Sequence, residues 1–478
     1  MAIEAQILTG LKWTAGARFG GQLLTWAISI LVMRLLQPAD YGLVAMASVA
    51  IVFLNVFAEV GLGTALVQAT EVGVLQMRQA YGIFFVLNGT LCAAVNLATP
   101  FLSAFYGEPR LSPVLHALSL QFLLAPFGSV CDIQLQRALE YKRRSLIELS
   151  TALITSVSTL LMALAGAGVW ALVWPTIIGA CWRAAAFNLA APFPHWPEFR
   201  FQGMRRLLTF GGTVTLSRLM WTFFMQVDVV IVGRVLGRDV LGLYSVAMHL
   251  ATLPVQRVTA IVNQVAFPAL ARIQQEREML KEKLVRVIAM MSLLAIPILW
   301  GLSATAKEVV LVVLGASWVN AIFPLQALTL MMPFRTLIGF LPTVTDAIGR
   351  PEIAVQNMLL AIVVMPPAFY VGSRWGINGV AMAWLLAYPL VLLVNAQRML
   401  GAVGIRLGQL ALPVARPVAC GLLMYMAVSL TRLVLPGVDN RLLLATEIIV
   451  GAVTYLSAAW IGNRAAFKDL LKMMGLNK

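Results

Sequence analysis

Apolar runs of about 20 residues, parted by short polar breaks, recur along the whole of this 478-residue chain. A helix rising about 1.5 Å per residue needs that length to cross the roughly 30 Å of hydrocarbon in a bilayer. Fourteen runs meet the requirement: 13–36, 42–67, 80–105, 113–131, 147–167, 169–191, 207–237, 241–267, 285–306, 319–345, 353–372, 376–397, 411–434 and 441–462. With 60% hydrophobic and 12% charged residues, the chain lies far from the roughly 25% charge of soluble domains. The expected fold class is an all-α integral membrane protein of about 14 transmembrane helices. The first run exceeds the about 7–15 apolar residues of a secretory core and follows no basic leader, so it is expected to be an uncleaved span.

A net charge of +15 suggests nucleic acid until the 35 Lys and Arg are placed. If the N-terminus lies inside, 21 of them collect on one face, including Arg137, Lys142, Arg143, Arg144, Arg272, Lys281, Arg350, Arg406 and Lys478. Six fall on the other: Arg110, Arg238, Lys307, Arg374, Arg432 and Arg441. Such a bias over short loops sets orientation, so both termini are expected in the cytoplasm and the basic loops need no nucleic-acid partner. Cys92, Cys131, Cys181 and Cys420 are scattered, as are His116, His195 and His249, so neither disulfides nor a metal site is expected. No phosphate-binding glycine loop or nucleophile elbow is present, and no cofactor or catalytic residue is expected.

Eight basic residues remain inside spans, and all are arginine: Arg18, Arg34, Arg183, Arg218, Arg234, Arg257, Arg335 and Arg416. Arg34, Arg234 and Arg416 lie near span ends, where a long side chain can reach the interface. Arg218, Arg257 and Arg335 are deeper, and each would cost about 2.5–3.5 kcal/mol facing lipid. They are expected to face a polar interior, with Arg18 and Arg183 at intermediate depth. Steps of three and four put Thr14, Arg18, Gln22, Thr25 and Ser29 on one face of the first span, and Ser245, His249, Thr252, Gln256, Thr259 and Asn263 on one face of the eighth. Polar stripes also join helices directly, but several of them beside deep arginines favour a water-filled cavity.

A guanidinium offers a planar fork of donors and stays charged, which suits phosphate oxygens. Arg18, Arg183, Arg218, Arg257 and Arg335 are therefore the candidate substrate-binding residues, for an anionic guest such as a phosphate or pyrophosphate. Glu59 and Asp228 are candidates for pairing with these arginines or for ion coupling.

The opening segment has a double 200 residues on. "RLLQPADYGLVAMA" (34–47) matches "RVLGRDVLGLYSVA" (234–247) at Arg34/Arg234, Leu36/Leu236, Gly42/Gly242, Leu43/Leu243 and Ala47/Ala247, and Arg18 matches Arg218. Both copies open a six-span block, so the halves share an orientation. The expected organisation is an N-terminal lobe (1–200), a C-terminal lobe (201–400) and an appended helix pair with a cytoplasmic tail (401–478).

"LLQPADYGLVAMA", "EVGLGTALVQ" (59–68), "QVDVVIVGRVLG" (226–237) and "NQVAFPALARIQ" (263–274) resemble segments of Wzx-type polysaccharide exporters, above all their colanic-acid-exporter-like branch. That group belongs to the multidrug/oligosaccharidyl-lipid/polysaccharide flippase superfamily. The resemblance implies flipping of undecaprenyl-pyrophosphate-linked oligosaccharide across the inner membrane by alternating access, with a cationic lumen. It further implies membrane lipids as surroundings and a polymerase and chain-length regulator as pathway partners. The alternatives are a cation-coupled multidrug exporter, which would want acids in its lumen, and a membrane polysaccharide polymerase, which would want a sizeable outer loop.

Overall fold

The computed structural model describes residues 24–59, 62–69, 72–200, 205–272, 277–339, 341–350 and 352–462, with a few isolated positions beside them. Helices occupy the described part of every run read from the sequence. In chain order they are α1 (Leu24–Leu35), α2 (Pro38–Glu59), α3 (Leu62–Gln68), α4 (Val74–Tyr106), α5 (Leu111–Arg137), α6 (Tyr141–Leu164), α7 (Trp170–Ala190) and α8 (Arg205–Arg272). There follow α9 (Arg277–Ala304), α10 (Ala306–Val309), α11 (Ile322–Gly339), α12 (Leu341–Ala347), α13 (Glu352–Ser373), α14 (Gly376–Leu386), α15 (Tyr388–Val403), α16 (Leu407–Val434) and α17 (Asn440–Gly462). No strand occurs among the described residues. Helices bond every backbone group internally, which is what a segment in hydrocarbon requires.

The chain divides into two compact units, Met1–Gly242 and Leu243–Lys478. In the first, α5 is the central post. Val130 and Ile133 on it meet Leu62, Leu66, Met77, Ala80 and Phe84 of α3 and α4. Cys131 and Leu135, on an adjoining face, meet Ile147 of α6 and Ala186 and Phe187 of α7. Arg137 at the end of α5 donates to the carbonyls of Leu66 and Ala69, holding the end of α3.

The duplicated segments touch in this unit. Pro38 opens α2 with its φ already near helical, and Asp40 in the first turn accepts the N–H of Gln37. Gly237, at φ 82°, breaks α8 into two arms at the matching place. A Cβ on Gly42 would stand 1.7 Å from the carbonyl oxygen of Arg238, and one on Gly242 would stand 1.7 Å from that of Pro38. The contact is reciprocal at an offset of 200 residues, position 42 on 238 and position 242 on 38, as a local two-fold relation between the copies requires. Beside it, Arg238 pairs with Glu108 at 3.0 Å.

In the second unit, α9 carries two stripes at helical spacing. Leu280, Leu284, Ile288 and Met291 pack against α11, α12 and α15, while Leu293, Ile296 and Trp300 meet Cys420, Met424 and Val428 of α16 and Tyr455 of α17. The buried face of α17 runs Leu443, Glu447, Gly451, Tyr455 and Ala459, every fourth residue. Its opposite face exposes Leu442, Ile449, Val453, Leu456 and Ile461, as lipid contact demands.

A carboxylate on that buried stripe needs a partner. Arg432 of α16 supplies it, donating to Glu447 at 3.2 Å, to Glu308 of α10 and to the carbonyl of Ala304 at 3.0 Å. Arg432, read from the sequence as a loop charge, is thus an internal clamp on two buried acids.

Two outcomes are expected in thermal unfolding of the detergent-purified protein. Gly42→Ala and Gly242→Ala each push a methyl onto a backbone carbonyl and lower stability by about 1–3 kcal/mol, the usual cost of overpacking. Gly401→Ala, on a helix with nothing within 4 Å of the new Cβ, is neutral or gains up to about 1 kcal/mol. Arg432→Ala strands two buried acids and costs about 3–5 kcal/mol, whereas Arg441→Ala, at an exposed position, changes little.

Candidate functional site

Helix α5 turns a second face inward. Gln121, Ala125, Gly128, Ser129, Asp132 and Gln136 follow steps of three and four along it and line a cavity of about 790 Å³ inside the first unit. Thr151 and Thr155 of α6, Thr176, Gly179, Ala180 and Arg183 of α7, Asn88 with Phe84 of α4, and Asn55 of α2 complete the wall. Small residues at 125, 128, 179 and 180 leave the space open; polar ones make it wettable.

The charges on this wall come in pairs. Arg144 donates through Nε to Asp132 Oδ1 at 2.7 Å, and Gln136 donates to Asp132 Oδ2 at 3.1 Å, so both carboxylate oxygens are engaged. Arg183 lies 3.0 Å from Glu148 Oε1, with its guanidinium 5.5 Å from the centre of the Phe187 ring. The lining itself carries two arginines and one carboxylate; Glu148, outside it, is the partner of Arg183, so each arginine has an acid beside it. Its neutral groups include both donors and acceptors: Asn55, Gln121 and Thr155 bring N–H or O–H groups, while Ser129, Thr151 and Thr176 each donate their single hydroxyl proton to a carbonyl of their own helix, leaving lone pairs for a guest. Asn88 donates to the Phe84 carbonyl at 2.9 Å, and its Oδ1, on a residue only 2% exposed, has no partner.

The sequence-derived candidates fare differently. Arg183 lines the cavity, but beside an acid rather than as a free cation. Arg335 belongs to the second unit, half-buried on α11, with its guanidinium 5.0 Å from the centre of the Trp384 ring. Asp228 is buried at 3% exposure, and its Oδ1 accepts the N–H of Val229 at 2.8 Å. Arg18 lies outside the described residues, and of Glu59, Arg218 and Arg257 only the helical backbone is described.

Sequence reasoning missed Asp132, Arg144 and Asn88. Arg144 sits in the first turn of α6, and a side chain as long as arginine's reaches from there to Asp132 on the neighbouring helix. The signal was present in the spacing of Gln121, Ser129, Asp132 and Gln136, one polar face on a run otherwise apolar enough to cross a membrane.

Most of the chain superimposes on solved transporters. The lipid II flippase MurJ in an inward closed conformation matches with a TM-score of 0.75 and 14% identity, over 95% of this chain and 99% of that one. An inward-facing multidrug resistance MATE family transporter matches at 0.61 and 14% identity, over 80% and 95%. These likenesses show the fold. Among curated proteins, the lipopolysaccharide biosynthesis protein WzxC of Escherichia coli (strain K12) is 25% identical over 81% of this chain and 79% of its own length. The succinoglycan biosynthesis transport protein ExoT of Rhizobium meliloti (strain 1021) is 26% identical over 82% and 80%. The family model described as polysaccharide biosynthesis protein matches residues 31–323, well over half of the sequence, and the chain belongs to that family.

Proposed function

We propose that this protein is a flippase, not an enzyme, that carries undecaprenyl-pyrophosphate-linked oligosaccharide repeat units across the bacterial inner membrane by alternating access. The product would feed exopolysaccharide or lipopolysaccharide assembly. The observation that carries the reading is the family match over 31–323, and the polar cavity within an apolar helical bundle supports it. Relatives named for lipopolysaccharide and succinoglycan biosynthesis, and the fold shared with a lipid II flippase, favour a lipid-linked saccharide over a small drug.

On this reading Arg218, Arg257 and Arg335, with Arg18 and Arg183, hold the pyrophosphate through forked hydrogen bonds, and Glu59 and Asp228 limit the excess positive charge. Residues 1–200 and 201–400 act as the moving lobes, with 401–478 appended to them. Both termini lie in the cytoplasm, and a polymerase and chain-length regulator work on the flipped product.

Export of the cognate polysaccharide, measured at matched membrane levels, tests the arginines. Ala at 218, 257 or 335 is expected to lower export by about tenfold or more, the worth of one charge-assisted hydrogen bond. Lys recovers it only in part, because a point charge does not reproduce the fork. Undiminished export by all three Ala variants would remove the cationic mechanism. For orientation, a reporter fused after Lys478 is expected to read cytoplasmic, and one inserted between Arg432 and Arg441 periplasmic; a periplasmic signal at Lys478 would overturn the topology.

A further inference from the structure

The cavity in the first unit is built against the group that the substrate's lipid end would present. A pyrophosphate is an acceptor throughout and carries negative charge. Here the wall offers Ser129, Thr151 and Thr176 as hydroxyls whose protons already serve their own helices. Asn88 adds a carbonyl oxygen with no donor, on a side chain almost wholly buried. Both wall arginines face carboxylates, at 2.7 and 3.0 Å, so the field they would lend an anion is cancelled at close range. The wall thus offers open acceptors beside the amides of Asn55 and Gln121, and no arginine without an acid.

A sugar matches such a mixed wall. Each hydroxyl brings one proton to give and lone pairs to receive, and the paired guanidinium and carboxylate groups can meet a hydroxyl with either role. The buried side chains of Phe84, Phe122 and Phe187 back the wall with apolar surface, on which the C–H face of a pyranose can rest. About 790 Å³ is room for a few sugar residues and lies in the usual range for ligand pockets.

We infer that this cavity, bounded chiefly by α2, α4, α5, α6 and α7, is a saccharide-binding site that receives the neutral, hydroxyl-rich part of the substrate; Arg183, paired with Glu148 in its wall, then serves the sugar, and the pyrophosphate is left to Arg18, Arg218, Arg257 and Arg335. The inference rests on the flippase reading and adds a division of labour to it. Recognition of the sugar belongs to Asn88, Ser129, Thr151 and Thr176, and the Arg144–Asp132 pair fixes the wall on which they stand. A lipophilic cation finds no net negative charge here to draw it in.

The test is a binding titration of the full-length purified protein with two probes: bare undecaprenyl pyrophosphate, and lipid-linked repeat units extracted from the producing cells. Wild type is expected to bind the glycosylated probe at least about tenfold more tightly, as a few net hydrogen bonds allow. Ala180→Trp fills the cavity without removing a hydrogen bond, and is expected to abolish that preference while binding of the bare carrier stays as in wild type. Asn88→Leu, close in shape and lacking the orphan acceptor, is expected to weaken only the glycosylated probe, severalfold. Full preference retained by Ala180→Trp would overturn the saccharide site and leave the flippase reading standing. Failure of wild type to bind either probe would overturn both. A lipophilic cationic dye that binds wild type and is lost in Ala180→Trp would overturn the site in favour of drug export.

Discussion

Hydrocarbon offers a peptide group no hydrogen-bond partner, and the architecture of this chain follows from that constraint. It dictates long uninterrupted helices and confines irregular backbone to places where other protein groups cover it. The break at Gly237 falls at the turn between two spans, and the start of the second arm of α8 lies against the start of α2. Two backbones meet there with no side chain between them, at Gly42 and Gly242, and approach as closely as small residues in membrane helices permit. The reciprocal geometry gives the duplication a physical meaning: the same glycine is needed twice because each copy packs on the other.

The same apolar surroundings govern charge. An isolated ion among these helices is costly, so acids and bases meet across helix boundaries: Arg144 with Asp132, Arg183 with Glu148, Arg238 with Glu108, and Arg432 with both Glu308 and Glu447. These pairs do different things. The Arg432 cluster ties α10, α16 and α17 together beneath an apolar face. The two pairs at the cavity instead leave neither of its arginines without a carboxylate at close range. A cavity of this kind suits a substrate whose bulk is sugar.

A lipid-linked oligosaccharide has three chemically distinct parts, and on the proposed reading each has its own environment. Exposed apolar faces, such as that of α17, suit acyl or prenyl chains. On that proposal the pyrophosphate goes to the deep arginines read from the sequence. The glycan goes to the polar cavity of the first unit, where each arginine has a carboxylate beside it. A flippase must hold all three at once, and its specificity for the sugar is expected where neutral polar groups outnumber unpaired charges.

Hydrophobic run length alone determined the helical class and the position of nearly every span, because 1.5 Å of rise against a fixed bilayer thickness leaves little freedom. The duplication was legible as well, since five identities at one offset survive in the primary structure. Tertiary structure decided the partners. Arg144 and Arg432 read as loop charges because hydropathy counts residues one at a time, while their role depends on Asp132, Glu308 and Glu447 reaching them from other helices. Arg183 was found from its depth, yet Glu148 beside it changes it from a free cation into half of a neutral pair. The cavity itself exists only where faces of α4, α5, α6 and α7 converge. A helical period assigns residues to a face, and only packing determines which face each one meets.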